Sequence, residues 1–257
     1  MRFAGFGCGY PAFCLTRVKY TCRYYDMSFT DVNTTAHAGE SEAEPTAPLD
    51  TVPGWGRVLL LVGALGPMAF VALVVIGGVV TDGYSHSSQA ISELAASGAE
   101  HAGLQTVAFV VVGVGVCCFA VGLHVVGRAP VVPTALVAVF GVLSALVGAA
   151  LPCDEGCEPT TAIGTAHIIA GTTGFVAVLV AMFILIRHWG RSEPYTSLAR
   201  PTRFLAWGGL AGLLAFNVTR GAELDSIDGL AQRAFALCVI TWIVLTAMTL
   251  RRLTRAA

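Results

Sequence analysis

Residues 58–80 read VLLLVGALGPMAFVALVVIGGVV, an apolar run without a charged side chain. A helix that crosses a bilayer needs about 20 predominantly apolar residues, and this run is long enough. Five further runs of similar character follow, at residues 102–126, 131–151, 161–186, 204–219 and 229–250. The run at residues 204–219, the fifth of the six, is the shortest and is rich in glycine (Gly208, Gly209 and Gly212). The sequence predicts an all-α protein, a six-helix transmembrane bundle over residues 57–252 with a C-terminal tail at 253–257.

The composition points to a membrane location for most of the chain. Of its 257 residues, 55% are hydrophobic and 12% are charged, and the mean hydropathy is +0.73. About a quarter of the residues in a soluble domain are charged. The net charge of −1 offers no general attraction to nucleic acid. These values exclude a soluble enzyme and a nucleic-acid-binding protein. They predict a multi-pass protein of the cell membrane with membrane lipids as partners and leave the oligomeric state open.

Arginine is distributed unevenly between the two ends of the predicted helices. The connections at residues 81–101 and 152–160 contain no lysine or arginine. The other connections and both flanks carry Arg57, Arg128, Arg187, Arg191, Arg200, Arg203, Arg251, Arg252 and Arg255. Basic residues accumulate on the cytoplasmic side of membrane proteins. We therefore expect the N- and C-termini in the cytoplasm and the first, third and fifth connections outside.

The first 56 residues precede the membrane domain and are predicted to be a disordered, acidic cytoplasmic tail. Residues 27–52 contain several acidic side chains and no lysine or arginine, a composition typical of disorder. Residues 1–26 are different in character, with cysteine, aromatic and basic side chains. We interpret Met27 as the true initiator and residues 1–26 as a mis-set start. The alternative is a short cytosolic extension.

The first predicted outer connection, residues 81–101, carries several reactive side chains. Apolar residues recur there at helical spacing, which predicts a short amphipathic helix at the interface or folded back into the bundle. Ser88 is the expected N-cap of this helix. Its reactive side chains are Asp82, His86, Ser92 and Glu93. The alternative is a solvated loop that holds a capped helix and has no chemical role.

The third connection places an acid, a histidine and two cysteines close together in sequence. Asp154 follows the third span, and His167 lies about two turns into the fourth, on a face shared with several glycines. An ionisable side chain within a span is a functional candidate, and a hydrogen-bonded packing histidine is the alternative. Cys153 and Cys157 flank the acidic loop. We favour a disulfide between them over metal ligation, because thiols oxidise outside the cytoplasm.

The fifth connection is flanked by Arg220 and Arg233, which run against the orientation signal. An arginine fork matches the geometry of a carboxylate or a phosphate, so both side chains are candidates for binding an anionic head group. The alternative is internal ion pairing with Asp82, Glu93 or Asp154, which would lock the helix ends together.

Three stretches resemble the membrane family known as domain of unknown function 998. These are SHSSQAISELAASG after the first span, LPCDEGCEPTTAIGTAH between the third and fourth, and DGLAQR at the start of the sixth. The resemblance covers roughly residues 57–252 and leaves the N-terminal tail outside. It implies a six-helix membrane protein, in agreement with the count of apolar runs, and it implies no activity.

A fainter likeness links the chain to multi-span hydrolases such as the alkaline ceramidases and to the progestin/adiponectin-type receptors. It implies a zinc site with Ser88 or Ser92, Asp154 and His167 in the roles of the family's Ser, Asp and His. This chain lacks the late H-x3-H pair of those proteins. His86, Asp154 and His167 would then supply the three protein ligands of a catalytic zinc, with Glu93 as the general base. Haem is disfavoured, because the spans offer no facing histidine pair.

Two functions follow as hypotheses. The first is a binding, transport or structural protein whose outer polar cluster holds a lipid head group or a small ion. The residues proposed to form this cluster are Asp82, His86, Glu93, Asp154, His167, Arg220 and Arg233. The second is a metal-dependent intramembrane hydrolase of lipids, with Ser88, Glu93, Asp154 and His167 as catalytic candidates. Ion-pair clusters at helix ends are more common than catalytic ones, which favours the first hypothesis.

Overall fold

Six long α-helices form the membrane domain. The computed structural model describes residues 52–222 and 225–255, so the predictions for the N-terminal tail lie outside the described residues. The helices are α1 (Gly54–Val80), α2 (Ala102–Val125), α3 (Val131–Ala150), α4 (Ala162–Trp189), α5 (Thr196–Gly221) and α6 (Asp228–Leu253). Short 3-10 turns lie in three connections, at Ile91–Ala95, Glu155–Cys157 and Asp225–Ile227. The described residues contain no β-strand, which confirms the all-α prediction.

Five of the six helices, all but α5, are long and apolar enough to cross a membrane. The chain is therefore a multi-pass membrane protein. Helix α5 has 26 residues, which corresponds to about 39 Å at 1.5 Å per residue. It begins before the predicted apolar run and so includes Arg200 and Arg203. Its polar first turns and its glycines lower its apolar character, so the crossing by α5 remains a prediction.

The helices form a closed ring. Each helix contacts the next one along the chain, and α6 contacts α1. Small residues allow close approach at several crossings. At Gly63 and Gly113, for example, an added Cβ would lie 2.6 Å from Cβ of Phe119 and from the backbone of Ala145, respectively. Large side chains from several helices fill the centre of the ring, and Leu60, Trp189 and Trp242 are completely buried.

The two ends of the ring differ in their connections. We call the end with the 81–101, 151–161 and 222–227 connections the capped end, because the first of these folds over the helices. We call the opposite end the arginine-rich end. At the arginine-rich end, Arg57 donates a hydrogen bond of 3.2 Å to the carbonyl of Thr254, and the hydroxyl of Tyr195 donates one of 3.1 Å to the carbonyl of Val126. These contacts tie the helix termini together there.

Candidate functional site

A cavity of about 180 Å³ lies inside the ring, and all six helices contribute to its wall. Most of the wall is apolar, with aromatic side chains such as Phe140, Phe175 and Phe235. The rings of Phe175 and Phe235 lie 4.6 Å apart between centroids. Polar side chains are concentrated in the part of the wall nearer the capped end, namely Ser92, Ser144, His167, Asn217, Arg220 and Gln232. The cavity is therefore amphipathic, with an apolar body and a polar rim.

The cavity reaches the outer surface of the helix ring at two of its lining residues. Among its lining residues, only Thr172 on α4 and Asn217 on α5 are exposed. The two helices that carry them, α4 and α5, contact each other in the ring. The remaining lining residues are buried or half-buried.

The first connection closes the capped end, and Arg233 on α6 holds it in place. The guanidinium donates hydrogen bonds to the carbonyl of Gln89 at 2.8 Å and to the hydroxyl of Tyr84 at 2.6 Å. It also donates to Nδ1 of His86 at 3.1 Å, which fixes that nitrogen as an acceptor. Burial, with the charge of Arg233 adding to it, lowers the pKa of His86. Arg233 therefore serves as an internal tie, and its partners are neutral groups rather than the predicted carboxylates.

The same connection also pairs with the backbone and amide groups of α6. The amide of Leu230 donates to the carbonyl of Ser87 at 2.9 Å, and the amide of Ile91 donates to Oε1 of Gln232 at 2.6 Å. Gly229 allows the close approach, because an added Cβ would overlap the carbonyl of Gln89. The connection is thus folded back onto the bundle, one of the two placements that its periodicity predicts.

The local structure of this connection differs from the prediction for Ser88. The helical element is a single 3-10 turn, Ile91–Ala95, and its N-cap position is Ala90. The cap is made by Glu93, whose carboxylate accepts hydrogen bonds from the amide of Ala90 at 2.8 Å and from Nε2 of Gln89 at 3.2 Å. Ser88 lies three residues before the first residue of the turn and does not line the cavity. The prediction of Ser88 as N-cap was wrong, because a glutamate three residues into the turn satisfies the free amide instead.

Asp154 lies at the N-terminus of α4, and its carboxylate is fully occupied. One oxygen accepts from the amides of Thr160 and Thr161, at 2.8 and 2.7 Å, and from the Thr160 hydroxyl at 3.1 Å. The other accepts from the Thr161 hydroxyl at 2.8 Å. These bonds, above all those from Thr161, hold the pKa of Asp154 below its usual range. Gly164 leaves room for the carboxylate, since a Cβ there would overlap it. Asp154 therefore anchors the start of α4.

His167 on α4 is 5% exposed and lines the cavity. Its Nδ1 lies 2.6 Å from the carbonyl oxygen of Leu151. A carbonyl only accepts hydrogen bonds, so this contact places a proton on Nδ1, and in the neutral imidazole Nε2 is then an acceptor. The fixed tautomer gives the polar rim of the cavity one oriented acceptor.

Cys153 and Cys157 form a disulfide that packs beside this histidine. Both cysteines are 1% exposed, and Sγ of Cys157 lies 3.3 Å from the hydroxyl of Ser92 on the folded-back connection. Among the described residues, the group with metal-ligand spacing is Cys153, Cys157 and His167. The sulfurs are bonded to each other here, so they do not act as thiolate ligands. The structure does not bring the predicted zinc ligands His86, Asp154 and His167 within ligand distance of one another.

Arg220 lines the cavity and is held by acidic and carbonyl groups. Its guanidinium pairs with Glu158 at 3.1 Å and approaches Asp228 at 3.8 Å. It also donates to the carbonyls of Gly156 and Cys157, at 3.4 and 3.3 Å. Arg220 therefore ties α5 to the third connection. Its side chain keeps 24% exposure, and its partners differ from those predicted.

Other predicted residues lie away from the cavity, and some cavity residues were not predicted. Asp82 is exposed, and neither it nor His86 or Glu93 lines the cavity. Gln232 and Asn217, which do line it, were missed, although a polar side chain within an apolar run indicates a candidate functional residue. Gln105 was also missed. It is 1% exposed, and its amide atoms have no hydrogen-bond partner among the described residues.

Residues 64–249 match the family described as "Protein of unknown function (DUF998)". This range covers most of the membrane domain, including every residue of the cavity wall. Comparison with curated proteins and with solved structures gave no match. The arrangement of side chains is therefore the only basis for proposing a function.

Proposed function

Because this chain belongs to the DUF998 family, whose description assigns no activity, we propose from the cavity alone that it binds an amphiphilic lipid. The apolar part of the ligand lies among the aromatic side chains of the cavity. The polar head lies at the rim near Ser92, His167, Arg220 and Gln232. The observation that carries this proposal is an amphipathic cavity that reaches the outer surface of the helix ring.

The volume of the cavity limits what it encloses. An apolar cavity of about 150 Å³ accommodates a benzene molecule, and the cavity here measures about 180 Å³. It therefore holds a short apolar segment of the ligand, and the rest of a long chain extends out of the cavity where it reaches the surface of the ring. This geometry fits a ligand that is delivered from the bilayer.

The polar rim offers a head group several hydrogen-bond donors and, at His167, one acceptor. Arg220 presents a guanidinium, which matches a carboxylate or a phosphate. Gln232 uses Oε1 for the amide of Ile91, and its Nε2 has no hydrogen-bond partner among the residues that the structure describes. Ser92 adds a hydroxyl. His167 contributes an acceptor at Nε2 to the same rim, which a protonated head group such as a carboxylic acid would satisfy.

Binding is better supported than lipid hydrolysis, the alternative function. A metal-dependent hydrolase needs about three protein ligands that converge on one ion, and His86, Asp154 and His167 do not converge. The Asp154 carboxylate is occupied by Thr160 and Thr161, and Glu93 caps the 3-10 turn. These acids have structural partners that compete with a catalytic role.

We propose further that α5 crosses the membrane as the sixth span and that both termini lie in the cytoplasm. In the ring, α5 lies between two spanning helices, α4 and α6, and its length suffices for a crossing. At the capped end, Arg220 and Arg233 have internal partners, which explains why two arginines lie there against the positive-inside rule. Labelling of cysteines introduced at Ser197 and Ser226 with an impermeant maleimide on intact cells tests this. We expect labelling at residue 226 only.

A variant that fills the cavity tests the binding proposal. Gly171 lines the cavity, and an added Cβ there meets no atom within 4 Å, so Gly171→Leu directs a side chain into the free space. Gly103→Leu is the matched control, because Gly103 is also a helical glycine with an unobstructed Cβ but is exposed outside the cavity. Both changes gain similar helix propensity, about 1 kcal/mol.

The readout is binding of a fluorescent fatty acid to the purified protein. We expect Gly171→Leu to weaken binding at least about tenfold, equal to roughly 1.4 kcal/mol, and Gly103→Leu to bind as the unaltered protein does. Equal binding by all three proteins would refute the assignment of the cavity as a lipid site. Release of a shortened product from a panel of lipid esters would instead favour the hydrolase.

A further inference from the structure

A second feature, at the arginine-rich end and outside the cavity, is a groove between α4 and α5. Its volume is about 430 Å³. Its wall contains two aromatic side chains, Phe183 and Trp207, and three arginines, Arg187, Arg191 and Arg203, and Ile186 and Gly190 complete it. It lies at the end of the helices opposite to the polar rim, so it is separate from the proposed lipid cavity.

The groove repeats one pattern on both helices. On α4, Phe183 precedes Arg187 by four residues, and on α5, Arg203 precedes Trp207 by four. Residues four apart lie on the same helix face, one turn from each other. The two helices run in opposite directions, so on each of them the arginine lies nearer the helix end and the aromatic ring one turn deeper. The rings of Phe183 and Trp207 meet edge to face, with 5.1 Å between centroids.

The three arginines have no acidic partner within the described part of the chain. All three are exposed, and no described carboxylate lies within the 4.0 Å that defines an ion pair. The nearby carboxylate of Glu193 accepts instead from the hydroxyl of Thr196 at 3.1 Å. The groove therefore presents three guanidinium groups above a pair of aromatic rings, and nothing described in the chain neutralises them.

We infer that this groove binds the head group of an anionic phospholipid. The phosphate is recognised by the guanidinium groups, which form paired, charge-assisted hydrogen bonds to phosphate oxygens. The glycerol backbone and the first acyl carbons pack on Phe183 and Trp207, at the depth where aromatic side chains lie in a membrane interface. Basic pockets between helices on the cytoplasmic side are known to bind anionic head groups, and our proposed orientation places the groove on that side.

The surroundings of the groove favour a lipid over the acidic segment at residues 27–50 of the same chain. Deeper along the same two helices, exposed apolar side chains follow Phe183 and Trp207 at helical spacing, namely Val180 and Val176 on α4 and Leu214 on α5. These face the bilayer, so acyl chains have a continuous path from the groove. The acidic segment would satisfy the charges, but it is rich in Thr, Ala and Ser and has few apolar side chains to place on the rings.

The experiment compares two triple variants of the full-length protein in lipid nanodiscs. The groove variant combines Arg187→Gln, Arg191→Gln and Arg203→Gln. The control variant combines Arg200→Gln, Arg252→Gln and Arg255→Gln, which removes the same charge from exposed positions at the same end but outside the groove. The melting temperature is measured in phosphatidylcholine alone and in nanodiscs where phosphatidylglycerol replaces part of the phosphatidylcholine.

We expect phosphatidylglycerol to raise the Tm of the unaltered protein and of the control variant by about 5 °C, because a bound ligand stabilises the folded state. The groove variant should lose most of this increase. Equal loss in both triple variants would overturn the inference, since general surface charge would then suffice. A groove variant that is destabilised equally in both lipid compositions would also overturn it, because the arginines would then contribute to stability independently of phosphatidylglycerol.

Discussion

The two ends of the bundle use arginine in opposite ways. At the capped end, Arg220 and Arg233 are partly buried and bound to carbonyl, hydroxyl and carboxylate groups of their own chain. At the arginine-rich end, Arg187, Arg191 and Arg203 are exposed and lack a described carboxylate partner. Arginine therefore ties the fold together at the capped end, where Arg220 also lines the proposed lipid cavity, and it carries charge without a described acidic partner at the other end. The contact partners decide the role, and the sequence position alone does not.

The largest expected effect follows from removing the tie at Arg233. Arg233→Met keeps much of the side-chain volume but removes the hydrogen bonds to Gln89, Tyr84 and His86. Loss of hydrogen bonds to a charged, partly buried group costs about 3 kcal/mol, which lowers the Tm by roughly 6–12 °C in a domain of this size. Thermal unfolding in detergent measures it.

The matched substitution at the other end is Arg252→Met. Arg252 is exposed, and its side chain has no acidic partner among the described residues, so its change should stay within about 0.5 kcal/mol. A similar loss of stability in both variants would contradict the conclusion that the arginines at the two ends have different roles.

A somewhat smaller effect is expected from Gly229→Ala, which probes the close contact rather than the charge. The new Cβ would overlap the carbonyl of Gln89, so the folded-back connection must shift away from α6. We expect a loss of about 2 kcal/mol, within the range for overpacked contacts. Gly103→Ala provides the control and should stabilise the protein by up to about 1 kcal/mol. Stabilisation by both changes would show that the first connection does not rest on α6.

The smallest effect concerns Asp154 and the pH. Its folded-state pKa is lowered by hydrogen bonds, chiefly from Thr161, so the unfolded chain takes up its proton first as the pH falls. The stabilisation from Asp154 is therefore complete above its ordinary pKa of about 3.9 and is lost as the pH falls through the lower folded-state value. Melting curves recorded from neutral to strongly acidic pH should show that the Tm falls more steeply with decreasing pH in the unaltered protein than in Asp154→Asn. Parallel curves would contradict this.

Hydropathy predicted the helices well, because burial of apolar surface in the bilayer dominates each span. Five predicted runs agree with observed helices to within a few residues at each end, as the match of 131–151 with Val131–Ala150 illustrates. The fifth was predicted to begin at residue 204 but begins at Thr196. The first turns of this helix carry arginines. A search for apolar runs stops at such residues, but an arginine near a membrane interface can extend its charged end into water.

The site was less predictable, because its contacts join residues far apart in sequence. His167 was predicted correctly as facing the interior, from the small residues on its face of α4. The pairing of Arg233 with residues 84–89, and the use of Gln232 by Ile91, depend on the ring closure that brings α6 against the first connection. No local pattern encodes such pairs. Glu93 and Asp154 were predicted to be reactive, but their carboxylates accept hydrogen bonds from the backbone amides of Ala90 and Thr161.

Photolabelling shows directly whether a lipid binds inside the ring of helices. A fatty acid with a diazirine in its chain is irradiated with Thr172→Trp and with Thr173→Trp. The two threonines are adjacent and exposed, but only Thr172 lines the cavity, at its opening. We expect label on cavity residues such as Phe140 and Phe175 in the unaltered protein and in Thr173→Trp, and strongly reduced label there in Thr172→Trp. Label confined to bilayer-facing residues such as Val142 in all three proteins would contradict the account.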